Sequence, residues 1–285
     1  MSRCAGVVVQ LSGRDRTLDL TRPAVMGILN VTPDSFSDGG AYVETDRAIA
    51  HALAMAGQGA AIIDIGGEST RPGAAPVDED EELARVLPVI EGLRAQSDVF
   101  ISVDTIKARV MREACAAGAD MINDVMALQA PGAIEAARDS GAAVCLMHMQ
   151  GEPRTMQSAP AYGDVVAEVR DFLQARVEAC QAAGIDRNRI CLDPGFGFGK
   201  TLEHNLELMR RLNAFVACDL PVLVGVSRKS MFVKLHGHDD MDSRIHASVT
   251  AAFWAVTQGA RIIRSHDVAR TVEALTLASA LTDSP

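Results

Sequence analysis

Eight short apolar runs punctuate the chain, and each stops at a polar side chain. Residues 25–29 run into Asn30, 61–63 into Asp64, 99–103 into Asp104, and 121–122 into Asn123 and Asp124. Residues 143–147 run into His148, 190–192 into Asp193, 222–226 into Ser227, and 262–263 into Arg264. Short β-branched runs of this kind read as strands buried on both faces, as in a parallel sheet. The stretches between them have helical composition: 44–57, 79–96, 107–118, 131–141, 162–184, 202–218, 230–235 and 243–259, then a last helix from near Val268 to about Asp283. Gly57, Gly118, Gly141, Gly184 and Gly259 fall where helix C-terminal caps belong. Eight β/α units predict a closed (β/α)8 TIM barrel over residues 24–285, with residues 1–23 as a short strand pair or cap beneath it, turning at Ser12 and Gly13. The expectation is one α/β domain spanning 1–285. In such a barrel the polar residues at the strand ends line the active face.

Composition sharpens this picture in three ways. Apolar residues make up 48% of the 285 residues, enough for a large core without disulfides or metal staples. The net charge of −10 argues against general binding to nucleic acid or anionic membranes, so an anionic substrate needs a local basic cluster. The six cysteines form no C-x-x-C pair and several lie inside apolar runs, which reads as buried thiols in a reducing cytoplasm. The apolar stretch 5–9 is too short for a signal peptide, and no run approaches the length of a membrane span.

Asp193-Pro-Gly-Phe-Gly-Phe-Gly-Lys200 resembles a phosphate loop but fails the pattern, because Pro194 stands where the first glycine is required. The bland reading is a structural glycine-rich turn. The sharper one is a carboxylate, Asp193, beside apolar Phe196 and Phe198, which suits a planar heterocycle with adjacent N–H donors. Asp104 and Asn123 end two other strands. Singly each reads as a turn residue, but together with Asp193 they offer two carboxylates and an amide to one ring edge. Asp64 is either a fourth contact or an internal support. Ser227-Arg-Lys-Ser230 and Arg264-Ser-His-Asp267 follow the last two runs, where barrels often hold phosphate. Lys229, Arg264 and His266 would supply the missing positive field, or else neutralise acidic strand ends. A Schiff-base Lys229 is the rival chemistry. His148 reads as a satisfied strand-end histidine rather than a metal ligand. The stripe 251–256 reads as helix packing, internal or between subunits.

On these residues the chain closely resembles the dihydropteroate synthase family. The matching segments are 26–40, 66–73, 102–105, 122–124, 146–151, 192–200, 227–230 and 264–267, in order along nearly the whole chain. The two departures are Ala247, where a glycine is common, and Ser265, in place of valine or threonine. The resemblance implies a transferase of folate biosynthesis that joins 6-hydroxymethyl-7,8-dihydropterin diphosphate to 4-aminobenzoate and releases diphosphate. It further implies a pterin site at Asp104, Asn123, Met147, Asp193, Phe198 and Lys229. Diphosphate would meet Asn30, Thr70, Arg264 and His266, with Mg²⁺ as cofactor between Asn30 and the phosphates. Phe36, Arg71, Pro72 and Ser230 would form the aminobenzoate pocket, which sulfonamide inhibitors share. The loops 31–40 and 66–74 would act as lids. Asp38 on the first would stabilise a cationic pterin methylene, so Asp38, Lys229, Arg264 and His266 carry the catalytic expectation. The family further implies a cytoplasmic homodimer with no nucleic-acid or membrane partner.

Two rival readings share the pterin pocket. One is a pterin-dependent methyltransferase domain with a corrinoid partner; the basic segments 227–230 and 264–266 count against it, since it has no diphosphate to bind. The other is a non-catalytic pterin-binding homologue, which Asn30, Arg264 and His266 would not serve.

Overall fold

The computed structural model describes residues 10–32, 41–68, 76–151, 156–157 and 159–282, with side chains of 41–43 set aside. Its first elements are an antiparallel pair, β1 (Gln10–Ser12) and β2 (Thr17–Asp19), in the register Gln10↔Asp19. Then come β3 (Ala24–Asn30), α1 (Ala41–Gly57), β4 (Ile62–Gly66), α2 (Glu79–Arg94), β5 (Phe100–Asp104), α3 (Ala108–Ala117), β6 (Met121–Asp124) and α4 (Ala133–Ser140). The chain continues with β7 (Ala143–Met147), α5 (Val165–Ala182), β8 (Ile190–Asp193), α6 (Leu202–Arg210) and α7 (Asn213–Val216). It ends with β9 (Leu223–Val224), α8 (Ser230–His236), α9 (Met241–Thr257), β10 (Ile262–Ser265) and α10 (Val268–Thr282).

Strands β3 to β10 pair in parallel in the order β8-β7-β6-β5-β4-β3-β10-β9, and a parallel bridge between Leu192 and Val222 brings β8 back to β9. The eight-stranded barrel that the hydrophobic pattern predicts is therefore present. Alternation along each strand divides the side chains. Val25, Ile63, Ile101, Val103, Ile122, Val144, Leu146, Ile190, Leu192, Val224 and Ile263 face outward and are buried under the helices. Met26, Ile62, Phe100, Met121, Cys145, Cys191, Leu223 and Ile262 face inward, where Leu11 of β1 and Leu20, just past β2, plug the lower end. A period of two carries the same inward column upward to Asn30, Asp64, Asp104, Asn123, Met147, Asp193 and Arg264. The apolar floor and the polar mouth are thus one column read at two heights.

The structure corrects several expected boundaries. The first helix begins at Ala41, and its terminal left-handed glycine is Gly59 rather than Gly57, which remains helical. The segment 202–218 is not one helix: it breaks at Arg211 into α6 and α7, and the turn allows both Leu212 and Phe215 to bury completely. Helix α5 begins at Val165, not 162, because Asp164 caps it by accepting from the Val166 and Ala167 amides. Strand β9 is only two residues long, so 225–227 belongs to the active-face loop. Strand β4 runs through Asp64 to Gly66, and of the two readings of Asp64 this position favours the internal support.

Candidate active site

Arg264 anchors one wall of the mouth. Its Nε donates to Asp64 Oδ2 at 2.6 Å and its Nη2 to Asp104 Oδ2 at 2.8 Å. Asn123 Nδ2 donates to the same Asp64 oxygen at 3.1 Å. Asp64 is fully buried, and its Oδ1 finds no hydrogen-bond partner among the described residues. Asp64 is therefore the shared acceptor that orients both the amide and the guanidinium. Burial works against the Arg264 charge, but Asp64 and Asp104 together outweigh it and raise the affinity of Arg264 for its proton. Burial also pushes the Asp104 carboxyl up, to about 7, against the pull of Arg264. Asp124, one residue past Asn123, points the other way, as the period of two requires. It accepts from the Met126 and Leu128 amides at 2.7 and 2.9 Å and shapes the turn after β6.

The opposite wall is the turn after β8. Asp193 is buried, and its Oδ1 accepts from the Gly195 amide at 2.7 Å. Burial raises its pKa, while the Gly195 amide, Lys229, Lys200 and Arg264 pull it back. No cation lies within ion-pair distance of this carboxylate among the described residues. The turn needs its glycines: a Cβ on Gly195 would lie 1.9 Å from the His148 carbonyl oxygen, and one on Gly199 2.4 Å from that of Gln150. Every carbonyl from 195 to 199 then meets a side-chain donor. Lys200 Nζ reaches those of Gly195 and Phe198, each at 2.9 Å. Lys229 Nζ takes Phe196, Gln157 takes Gly197, and the Tyr162 hydroxyl takes Gly199 at 2.8 Å. The Lys229 ammonium also sits 4.2 Å above the Phe198 ring. Burial lowers its pKa to about 8, with Asp193 opposing the shift. Met147 lies buried at the end of β7, paired in register with Asp193.

The third side holds the basic segments. His266 Nδ1 pairs with Ser227 Oγ at 3.0 Å, and the His266 amide donates to the same oxygen at 3.1 Å. Arg228 turns away from the mouth, adopts a positive φ of 56° and grips Asp267 through Nε and Nη2 at 3.0 and 2.6 Å. Its amide donates to Ser248 Oγ at 2.8 Å. This fastening presents Lys229 inward and leaves Ser230 exposed at the start of α8. Asn30 ends β3, half-buried beside Gly66.

The described residues thus bring together Asn30, Asp104, Asn123, Met147, Asp193, Phe198, Lys229, Ser230, Arg264 and His266 on one face. Phe36, Asp38, Thr70, Arg71 and Pro72 lie outside the described residues. Three features escaped the sequence reading. Lys200 is almost wholly buried and folds the glycine turn from within, with His148 Nδ1 at 3.0 Å. Arg228 serves as a fastener. Lys107 bridges Glu68, at 2.6 Å, and buried Glu82 at the root of the second loop. Glu82 had a visible signal: it occupies the stripe of Val86, Val89, Ile90 and Leu93 on α2, where a lone carboxylate must find a cation.

The family described as pterin binding enzyme matches residues 26–266. The dihydropteroate synthase of Escherichia coli K12 is 52% identical over 272 residues, which is 95% of this chain and 96% of that one. The Yersinia pestis dihydropteroate synthase solved with a sulfonamide drug is 53% identical with a TM-score of 0.91, covering 96% of this chain and 100% of that chain. The Xanthomonas albilineans enzyme solved with 7,8-dihydropteroate is 48% identical with a TM-score of 0.88, over 97% and 100% of the two chains. Matching the pterin-binding family across its barrel and these relatives across nearly its full length, the chain belongs to the dihydropteroate synthases, transferases of folate biosynthesis.

Proposed function

We propose that the strand-end layer described above carries the family reaction, and the observation that supports this most is the division of charge across one mouth. Asp193 offers a carboxylate outside any ion pair on one wall, while Arg264 and Lys229 supply cations and His266 an imidazole on the others. In this reading Asp193 accepts from the 2-amino and N3 edge of the pterin. Asp104 and Asn123 meet the far side of the ring, and Met147 and Phe198 bound its faces. Lys229 reaches the ring from above Phe198. Arg264, His266, Asn30 and Thr70 receive the diphosphate. Phe36, Arg71, Pro72 and Ser230 hold the aminobenzoate.

The chemistry follows from those placements. The bond between the exocyclic methylene carbon and the diphosphate oxygen breaks, and both electrons leave with the diphosphate. Arg264 and His266 face the charge that develops there. The positive charge left on the methylene is delocalised into the dihydropterin, and Asp38 would stabilise it. The neutral aniline nitrogen then forms the new C–N bond and loses one proton, so no activated nucleophile is needed. Loops 31–40 and 66–74 would exclude competing water.

Mg²⁺ fits this site as a substrate-borne ion. Among the described residues no group of three or more His, Cys, Asp or Glu forms an all-protein cage. Asn30 offers a single side-chain amide oxygen at the mouth, and Mg²⁺ commonly takes few protein oxygens beside phosphate and water. Held by Asn30 and the diphosphate, it would offset charge on the leaving group.

The dihydropteroate bound in the Xanthomonas structure and the sulfonamide in the Yersinia structure support these ligand classes. We place the enzyme in the cytoplasm as a homodimer. No helix among the described residues is long and apolar enough to cross a membrane, and exposed Trp254, Leu277 and Leu281 on α9 and α10 offer apolar surface to a second copy. A coupled diphosphate-release assay tests the reading. Release with both substrates, and dihydropteroate by mass, is the expected result. Diphosphate retained, or methyl transfer from a methylated folate, would overturn it.

A further inference from the structure

The Lys200 ammonium is buried without a carboxylate in contact among the described residues. Its partners are the carbonyl oxygens of Gly195 and Phe198 at 2.9 Å, that of His148 at 3.4 Å, and His148 Nδ1 at 3.0 Å. A buried ammonium costs several kcal/mol unless its surroundings repay it. Arginine, or an apolar side chain, fills space more cheaply, so the position of this charge has a structural consequence. Lys200 holds the Gly195 carbonyl, and the amide of the same Gly195 fixes Asp193 Oδ1. Lys200 also holds the Phe198 carbonyl, and so the placement of the ring beneath Lys229. Burial lowers the Lys200 pKa to about 7, with Asp193 opposing the shift, so the charge that favours the ionised form of Asp193 is present below that value and is lost above it.

We propose that Lys200 is a positioning residue for the pterin: from inside the turn it sets the direction of Asp193 and the plane of Phe198, and it keeps Asp193 an acceptor. This rests on the pterin assignment of Asp193 made above. Lys200 touches no substrate in this arrangement. It therefore differs from a phosphate-loop lysine, whose ammonium points outward at its ligand.

The two roles separate by ligand. Diphosphate is assigned to Arg264, His266 and Asn30, whereas the contacts of Lys200 fall on His148, Gly195 and Phe198. Groups facing Asp193 are Lys229 from the turn before α8, Arg264 from β10, and Cys145 and Cys191 from below on β7 and β8. Only the first two and Lys200 favour its charge. Replacing Lys200 with a neutral residue removes one of these three cations and should let Asp193 protonate more readily. Pterin affinity that needs the carboxylate would then be lost as pH falls through the raised value.

The test is calorimetry on Lys200→Met and Lys200→Gln with two probes, 6-hydroxymethylpterin and diphosphate with Mg²⁺. Expected in both variants is a pterin affinity lowered about tenfold, with diphosphate affinity within about twofold of the unaltered chain. The pterin loss in Lys200→Met should be greater at about pH 6 than at about pH 8. Lys200→Arg, which keeps the charge and the donors, should recover part of it. Native pterin affinity in a folded variant, or equal loss of both ligands, would overturn the proposal. If Lys200→Met fails to fold, Lys200→Gln decides, because its amide retains donors for the two carbonyls. An unaltered chain that binds no pterin would instead refute the assignment of Asp193.

Discussion

Replacing Arg264 with methionine removes a cation that contacts two buried carboxylates. The guanidinium lies 2.6 Å from Asp64 and 2.8 Å from Asp104, and Asn123 is held through the same Asp64 oxygen. Methionine fills much of the volume, so the loss is electrostatic rather than a cavity. Breaking a buried pair by removing one partner costs about 3–5 kcal/mol, because the remaining charge has neither water nor counter-ion. Two carboxylates left side by side relieve this by taking up a proton. Asp104 already sits at about 7 with Arg264 in place, and it moves higher without it.

The sign of the pH dependence follows. A carboxyl whose folded pKa lies above its unfolded value enters the native state protonated at acid pH and must lose that proton as pH rises. Arg264→Met should therefore lose about 3–5 kcal/mol near pH 8 and clearly less near pH 6. Thermal unfolding should show a fall in Tm of roughly 6–10 °C at the higher pH. Adding Asp104→Asn should recover most of it, since one buried charge disappears. A loss under about 1 kcal/mol near pH 8, or the same loss at both pH values, would refute the reasoning. Diphosphate affinity, by calorimetry on the same samples, should fall in the single and the double variant alike.

Asp193→Asn presents a donor to pterin donors and should weaken pterin binding by about 2–4 kcal/mol, read by calorimetry; near-native affinity in the folded variant contradicts the assignment. Binding that requires the Lys229 ammonium should be complete below its pKa of about 8 and decline above it, and Lys229→Arg should carry that limb to higher pH. Lys107→Met leaves Glu82 buried without its cation and should cost about 3–5 kcal/mol in urea unfolding, with Glu82→Gln in the same chain restoring most of it. Ser230→Ala should raise the KM for 4-aminobenzoate severalfold and weaken sulfonamide competition in parallel, while pterin affinity stays level in direct titration.

The barrel was legible because a strand buried on both faces carries few polar positions before it reaches the mouth. That is why Asn30, Asp104, Asn123, Asp193 and Arg264 stood out as ends of runs and why the structure gathers them. Asp64 was ambiguous for the same reason. It interrupts its run without ending it, and only the register of β4 against β5 places it inside, opposite Ser102. Helix boundaries were less legible where side chains compete for the backbone, as at Asp164 capping α5, or where a turn buries Leu212 and Phe215 together. Lys200 and Arg228 were hidden because a basic residue beside a glycine or serine reads as an anion contact. Whether it points outward at a ligand or inward at carbonyls is decided by the path of the turn, which one-dimensional spacing does not contain.

The two demands on this mouth oppose one another. A pterin edge of N–H donors calls for carboxylates, and a departing diphosphate calls for cations; in one small cleft they would simply pair. Arg264 is indeed paired, with Asp64 and Asp104, which fixes it in place and still leaves it partly exposed to the mouth. Asp193 is kept out of any such pair by the turn around it. Lys229 spends its contact on the Phe196 carbonyl and the Phe198 ring, and Lys200 spends its contacts on Gly195, Phe198 and His148. Both ammonium groups therefore favour the charge on Asp193 from a distance without occupying its lone pairs. Backbone carbonyls are the buffer that makes this possible, and only a turn with glycine at 195 and 199 brings them close enough to serve. The glycine-rich segment that fails as a phosphate loop succeeds as a way to hold a buried carboxylate out of any ion pair while nearby cations oppose the rise that burial imposes on its pKa.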